Sequence, residues 1–191
     1  MTFEETVKKC RSYRRFDGSF RIEKQTLEEL IELARCAPSA RNQQALKFIL
    51  SNDPGKNASI FPALRWAGAL KDWKGPSESE RPAAYIIILG DKEISEDYLC
   101  DHAIAAYGIL LGAVEKGLGG CMLGAIDKGL LQKTLEIPER YSILLVVALG
   151  KPAEKVVIDD VEKDVGIDYY RDEKDVHHVP KRKLKDLFIN S

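Results

Sequence analysis

The segment that most restricts the fold is residues 83–89, AAYIIIL, in which no side chain is charged. A continuous apolar run of this length is typical of a strand that is covered on both faces of its sheet. Residues 142–149, SILLVVAL, have the same character, and residues 45–50, ALKFIL, also predict a strand. Because both faces of such strands must be covered, the sequence requires a domain built in layers around a sheet.

Two helical patterns precede residues 45–50, the first predicted strand in chain order. Thr2 followed by Glu5 fits a capping box at the start of a short helix, which ends before an arginine-rich stretch. Thr26 with Glu29 repeats the capping signal ahead of an amphipathic pattern that must stop by Pro38. We therefore expect two helices before the first strand.

The second half of the chain alternates helices and strands. From about Ser95 to Lys116 the chain is apolar on most sides, which predicts a central buried helix that stops at Gly117. Residues 117–125, GLGGCMLGA, predict a glycine-rich loop that runs into a strand, and Asp127 can cap a short helix. This order of elements favours an α+β or α/β layered domain with about four or five strands in its sheet.

Composition excludes several classes of protein. The length of 191 residues suits one domain, 1–191, and the net charge of −1 argues against a nucleic-acid binder. The start, MTFEETVKKC, lacks the apolar region of a secretory signal, and no run of about 18 apolar residues predicts a membrane span. The four cysteines form no CxxC pair, and a zinc cluster is not indicated. We expect reduced thiols in a cytoplasmic protein.

An arginine-rich stretch, KKCRSYRRFDG, occupies residues 8–18. The guanidinium groups of Arg11 and Arg14 present planar forks of donors that match a phosphate, and Ser12 can add a hydroxyl. The alternative is a solvated helix end, where cations favour the C-terminal dipole. The stretch alone leaves both interpretations open.

Two further stretches contain candidate binding groups. Residues 36–48, CAPSARNQQALKF, place several side-chain amides just before a strand, where they suit the edge of a heterocycle or simply cap a loop. The glycines of residues 117–125 permit close approach to a flat ligand, or they form a helix cap and turn. Met122 occupies the last glycine position of a dinucleotide-binding fingerprint, so this is not a Rossmann loop.

The character of the chain changes after Gly150. An acidic stretch over residues 159–175 predicts a solvated loop, and His177 and His178, which follow it, are expected in a loop as well. Residues 179–188, VPKRKLKDLF, form a second basic cluster, which is either an anion-binding element or a solvated tail.

Taken together in this order, the four stretches resemble the nitroreductase family of FMN-dependent oxidoreductases. The matching segments are RSYR at 11–14, APSARNQQ at 37–44, GLGG at 117–120 and KR at 181–182. The resemblance implies an α+β fold with a central, mainly antiparallel sheet of four to five strands between helices. It also implies an intertwined homodimer, in which the tail, about 151–191, extends to complete the FMN site or the dimer.

The resemblance further implies which residues bind FMN. They are Arg11, Ser12, Arg14, Lys181 and Arg182 around the phosphate, Pro38, Ser39, Asn42 and Gln44 from the amide stretch, and Leu118, Gly119 and Gly120 against the ring. Pro38, Ser39 and Asn42 are expected from the partner chain. Arg65 or Lys71 is expected at the pyrimidine edge of the flavin, and Cys121 lies close to the expected ring.

The implied activity is transfer of hydride from NAD(P)H to FMN and of electrons to a nitroaromatic, a quinone or a similar small acceptor, in a ping-pong cycle without a protein nucleophile. Ala103 and Tyr107 replace a glycine and an amide that are common in relatives, at positions that shape the ring environment. The alternatives are a specialised flavin reductase such as a dehalogenase or an enoate-type reductase, and a flavin-binding protein without fast turnover for storage, sensing or FMN delivery. A phosphoanion-binding module without flavin is a further possibility.

Overall fold

The computed structural model describes residues 1–189, so residues 190 and 191 of the predicted 1–191 domain lie outside the described residues. The helices of the described chain are α1 (Phe3–Lys9), α2 (Lys24–Arg35), α3 (Pro54–Ile60), α4 (Asp101–Glu115) and α5 (Lys128–Thr134). Its strands are β1 (Leu46–Ser51), β2 (Ala84–Asp91), β3 (Gly119–Leu123), β4 (Tyr141–Gly150), β5 (Val156–Val161), β6 (Tyr170–Arg171) and β7 (His177–Arg182).

The central sheet contains four strands in the order β1-β2-β4-β3, and every neighbouring pair is antiparallel. The three strands expected from apolar runs are β1, β2 and β4, and the glycine-rich loop runs into β3 as expected. The prediction of an α+β fold with a mainly antiparallel sheet between helices is therefore confirmed.

The position of strand β2 explains why residues 83–89 lack charge. Every residue from Ala84 to Asp91 is buried. Ile86 and Ile88 join a core with α2 and α4, whereas Tyr85 and Ile87 join a second core on the opposite face of the sheet. Burial of each of these isoleucine side chains contributes about 1.5–3 kcal/mol to the free energy of folding. Two cores of this kind require apolar side chains at both odd and even positions.

The predicted helix starts are partly right. Thr2 and Glu5 form the capping box at α1, with Thr2 Oγ1 accepting from Glu5 N at 3.2 Å and Glu5 Oε2 accepting from Thr2 N at 2.8 Å. The box expected at Thr26 is wrong, because α2 begins at Lys24 and Thr26 lies within its first turn. Asp127 caps α5 as expected, accepting from Leu130 N at 2.9 Å.

The central helix α4 is shorter than predicted. Residues 95–99 form a turn in which Ser95 Oγ accepts from Asp97 N at 3.2 Å, so the helix begins only at Asp101. Side chains of this type compete with helical hydrogen bonds. The predicted stop at Gly117 is confirmed, since Gly117 has a φ of +72°, which favours glycine.

A second sheet forms where a solvated loop was expected. Its order is β5-β7-β6, with β5 and β7 parallel and β6 and β7 antiparallel. His177 and His178 begin the central strand β7, so the expectation that they lie in a loop is wrong. His178 Nδ1 lies 2.7 Å from Asp159 Oδ2 in β5, and its Nε2 lies 3.3 Å from Oδ2 of Asp172, the residue that follows β6. Within residues 1–189, no helix combines the length and the hydropathy needed to cross a membrane.

Candidate functional site

A cleft of about 330 Å³ lies between the N-terminal arginines and strand β7. We call it the basic cleft. Its lining combines polar and cationic side chains with apolar and aromatic ones: Cys10, Arg11, Ser12, Arg14, Tyr107, Leu110, Met122, Tyr169, His177, Val179 and Lys181. Among the described residues, its lining includes no aspartate or glutamate. The basic clusters from opposite ends of the chain therefore meet here.

The arginine-rich stretch follows α1 and lies along strand β3. Ser12 forms a parallel bridge with Gly120, and Tyr13 N donates to Gly120 O at 3.0 Å. A Cβ at Gly119 would lie 2.5 Å from Cδ2 of Tyr13, so only glycine allows this close approach. Leu118, Gly119 and Gly120 are all buried. None of the three lines the basic cleft; the contact with it runs through Ser12, which pairs with Gly120 and does line it.

Glu154 fixes the backbone of the arginine-rich stretch. Its carboxylate accepts hydrogen bonds from the backbone N–H groups of Arg14 and Arg15, the latter at 3.0 Å. It also accepts from Arg171 Nη2 at 3.0 Å, and its side chain is only 2% exposed. A buried carboxylate requires such partners. Glu154 thereby connects the second sheet to the segment that supplies Arg11 and Arg14.

Arg11 and Arg14 keep unused donors in the basic cleft. Arg11 Nη2 donates to the carbonyl of Val7 at 2.9 Å, but its Nε is buried without a partner among the described residues. The Arg14 guanidinium lies 4.6 Å from the centre of the Tyr169 ring. Its Nη1 lies 3.3 Å from the Ser12 carbonyl and 3.2 Å from His177 Nε2. Neither guanidinium forms an ion pair with a carboxylate of the described chain.

The pKa values of two adjacent histidines, His177 and His178, are shifted in opposite directions. His177 is fully buried, and its burial, with the nearby Arg14 cation, lowers its pKa to about 4. The hydrogen bonds from His178 to Asp159 and Asp172 raise the pKa of His178 above its usual value. Sequence reasoning missed both roles, although the paired histidines directly before a basic cluster were a usable signal.

The amide stretch lines a different cleft of about 340 Å³. We call it the helix cleft, because residues of α2 and α4 form its walls beside Pro38, Ser39 and Gln44. Ser39 Oγ donates to Asp101 Oδ2 at 2.7 Å and accepts from Gln44 N at 3.0 Å. The second oxygen of Asp101 accepts from Ala40 N at 2.9 Å. Asp101, for which the sequence predicted no role in this loop, is therefore the buried group that organises it.

The same loop has an unusual backbone. Arg41, Asn42 and Gln44 have φ values of 52°, 54° and 52°. Non-glycine residues in this region cost about 1–3 kcal/mol each and persist where surrounding contacts determine them. The hydrogen bonds to Asp101 supply such contacts. Asn42 and Gln44 are exposed, and the Gln44 amide donates to the Asn42 carbonyl at 3.3 Å, so the Asn42 amide is the more accessible of the two to a ligand or a second subunit.

Of the remaining candidates, only Lys181 lines the basic cleft. Lys181 lines it, but Arg182, the next residue of β7, is directed to the carbonyl of Lys163, to which Nη1 donates at 2.9 Å. Arg65 is exposed and donates to the carbonyl of Pro62 at 2.8 Å, and Lys71 is exposed in a loop. Cys121 is buried, and burial raises the pKa of its thiol. Successive side chains of a strand point to opposite faces, which explains why Lys181 lines the basic cleft and the next residue of β7, Arg182, does not.

The residues of the basic cleft fit FMN. Three cationic side chains and a hydroxyl suit a phosphate dianion, and the buried, unpartnered Nε of Arg11 is a donor that such an anion would satisfy. Apolar and aromatic side chains beside them suit the less polar part of the cofactor. The volume lies within the range of about 300–1,000 Å³ for small-molecule sites.

Sequence comparison with known proteins finds one matching family and several relatives. The sequence model of the nitroreductase family matches residues 7–151. YodC of Bacillus subtilis, described as an NAD(P)H nitroreductase, is 27% identical over 177 residues, covering 77% of this chain and 88% of YodC. The iodotyrosine deiodinase of Haliscomenobacter hydrossis is 25% identical over 165 residues, covering 73% of this chain and 74% of the deiodinase.

Solved structures agree with the sequence comparisons. An FMN-dependent nitroreductase from Clostridium difficile superposes with a TM-score of 0.66 at 25% identity, covering 78% of this chain and 87% of that one. A nitroreductase family protein from Clostridium novyi gives a TM-score of 0.68 at 28% identity, covering 80% and 86%. The family match ends at residue 151, so strands β5, β6 and β7 lie beyond it.

Proposed function

This chain belongs to the nitroreductase family, and from that premise we propose that it is an FMN-dependent oxidoreductase. In this proposal it takes hydride from NAD(P)H and passes electrons to a nitroaromatic, a quinone or a similar small acceptor in a ping-pong cycle. The relatives described as NAD(P)H nitroreductases and the FMN-dependent structural neighbour support it.

The observation that carries the proposal is the convergence of Arg11, Arg14 and Lys181 in one cleft whose described lining holds no carboxylate. A dianionic phosphate is the ligand that balances such a cleft. Arg11 and Arg14 would hold the phosphate through their unused donors, and the Ser12 hydroxyl would add a hydrogen bond. Lys181 would close the site from strand β7.

The bound flavin supplies the redox chemistry, by accepting hydride and releasing electrons. The chain's own residues bind and orient it. The cationic lining of the basic cleft favours ligands with negative charge, and Tyr107 and Tyr169 offer flat surfaces to an aromatic ring. Arg65 or Lys71 is proposed to stand at the pyrimidine edge.

We further propose that the enzyme is an intertwined homodimer in the cytoplasm. The basic cleft and the helix cleft are separate within one chain, which supports a second subunit supplying Pro38, Ser39 and Asn42 to each flavin. Exposed apolar side chains in the last described segment, including Leu187 and Phe188, support burial in an interface. The four free cysteines suit a reducing compartment.

A dehalogenase is the second candidate, because the iodotyrosine deiodinase relative covers 73% of this chain. Tyr107, which replaces the amide common in relatives, lines the basic cleft and changes the side chain available to an acceptor. The two candidates share FMN and differ in the acceptor.

The deciding experiment begins with the visible spectrum of the purified protein. Flavin bands that bleach with NADH or NADPH under argon are the expected result. Anaerobic addition of a nitroaromatic, a quinone or iodotyrosine then identifies the acceptor by the return of the bands. Bands that persist with both nucleotides would indicate a flavin-binding protein without turnover. A colourless protein that takes up no FMN would refute the proposal and favour a phosphoanion-binding module.

A further inference from the structure

His177 is the buried group of the basic cleft that neither the family resemblance nor the proposed chemistry uses. It begins strand β7, is fully buried, and lies beyond the part of the chain that matches the family model. Its ring lies 5.3 Å from the Tyr169 ring, and its Nε2 lies 3.2 Å from Arg14 Nη1. These contacts place His177 directly beside a proposed phosphate ligand.

The contact with Arg14 determines the protonation of His177. A guanidinium has only donors and does not lose its proton in proteins. Nε2 of His177 must therefore accept the hydrogen bond, which requires a neutral imidazole with its proton on Nδ1. The lowered pKa of about 4, caused by burial and by the Arg14 cation, agrees with a neutral ring at physiological pH.

Within residues 1–189, the three partners of the Arg14 guanidinium are all uncharged. They are the Ser12 carbonyl, the His177 imidazole and the Tyr169 ring. The neighbouring Arg15 contrasts with it, because its guanidinium forms ion pairs with Asp175 and, at 3.5 Å, with Glu80. The carboxylate oxygens of Glu154 accept hydrogen bonds from backbone N–H groups and from Arg171, and not from the Arg14 side chain. Arg14 is thus held in place while its charge stays uncompensated.

We propose that His177 is a positioning residue that, as a neutral hydrogen-bond acceptor, orients Arg14 toward the phosphate of the cofactor without cancelling its charge. An aspartate or glutamate at this position would orient Arg14 equally well but would neutralise it. The proposal rests on the proposed function, since the phosphate is that of FMN.

Two variants separate positioning from simple packing. His177→Gln places an amide oxygen near the position of Nε2 and preserves the acceptor, whereas His177→Asn is too short to reach it. Dissociation constants for FMN and for riboflavin, which lacks the phosphate, are measured on flavin-depleted protein. We expect His177→Asn to weaken FMN binding about tenfold, within the range of a lost hydrogen bond to a charged group. His177→Gln should stay close to wild type, and riboflavin binding should be the same in all three proteins.

Matched controls complete the design. His178→Gln changes the adjacent histidine, which contacts Asp159 and Asp172 instead of Arg14, and it should leave the FMN-to-riboflavin ratio unchanged. In an Arg14→Ala background, His177→Asn should have no further effect on FMN affinity. The tautomer of His177 in the wild type can be measured directly by nitrogen NMR at neutral pH. We expect Nδ1 to be protonated and Nε2 to be unprotonated.

Several outcomes would overturn the proposal. Equal losses of FMN and riboflavin affinity in His177→Asn would mean that His177 only maintains packing. An undiminished effect in the Arg14→Ala background would mean that it acts through another group. A protonated Nε2 in the wild type would exclude the acceptor role even if neither variant folds. Failure of the wild type to bind FMN would instead refute the proposed function.

Discussion

Replacing Glu154 by glutamine tests whether the arginine-rich stretch depends on the second sheet. The carboxylate is 2% exposed and accepts from two backbone N–H groups and from Arg171, whose side chain is 11% exposed. Glutamine keeps one acceptor but presents an NH₂ group to donors where an oxygen was. It also leaves the Arg171 cation without its buried counter-charge.

The expected cost follows from these contacts. Removing one partner of a buried ion pair costs about 3–5 kcal/mol. Because glutamine retains one acceptor, we take the lower end, about 3 kcal/mol. With a dependence of about 2 kcal/mol per molar urea, the midpoint of unfolding should fall by about 1.5 M. FMN affinity should fall as well, since Glu154 fixes the backbone that supplies Arg14.

The assay is urea unfolding followed by circular dichroism at one fixed protein concentration, because the proposed dimer would make the apparent stability depend on concentration. Glu162→Gln is the matched control: this glutamate pairs with Lys183 at the surface and is 66% exposed, so its loss should cost about 0–1 kcal/mol. If Glu154→Gln and Glu162→Gln gave the same small midpoint shift, the structural role assigned to Glu154 would be wrong.

Three further predictions concern the sites and the second sheet. Arg14→Ala should weaken FMN binding by about 1.5–3 kcal/mol, measured by fluorescence titration. Arg15→Ala should weaken it less, because the Arg15 guanidinium is already paired with Glu80 and Asp175. Equal losses in the two variants would contradict the assignment of Arg14 to the phosphate. Asp101→Ala should lower the free energy of unfolding by about 1–3 kcal/mol and increase hydrogen exchange in residues 40–44; unchanged exchange would show that the loop holds its backbone without Asp101. The raised pKa of His178 stabilises the fold below the unfolded-state value of about 6.5, and this stabilisation is lost as pH rises through the folded value. Thermal melts should therefore show a decline with rising pH in the wild type that is absent in His178→Gln, and parallel profiles would contradict it.

The parts of the fold that sequence predicts are those where burial leaves no choice of residue. Strand β2 faces two cores over residues 84–89, so these residues had to be apolar, and the strand was identifiable from that property alone. The capping of α1 and the stop at Gly117 were identifiable because each depends on residues adjacent in sequence. Local patterns of this kind need no knowledge of the tertiary structure.

The second sheet and the organising acids were not identifiable in the same way. Strands β5 and β7 contain charged residues and no regular apolar alternation, and distant side chains such as Asp159 and His178 hold them together. Glu154 and Asp101 look like ordinary surface acids in the sequence. Their partners come from elements that are remote along the chain, so only the folded structure distinguishes them from solvated acids.

The position of β7 in its sheet has a consequence for biosynthesis. Along the chain the strands appear in the order β5, β6, β7, but in the sheet β7 lies between the other two. Neither of the earlier strands has its pairing partner until the last described strand has left the ribosome. The sheet β1–β4 can assemble on a nascent chain, whereas His177 and Lys181 reach the basic cleft only after β7 has been synthesised. A polypeptide that stopped between Gly150 and His177 would contain every strand of the central sheet and lack both of these groups, so the proposed FMN site would distinguish it from a chain that includes β7.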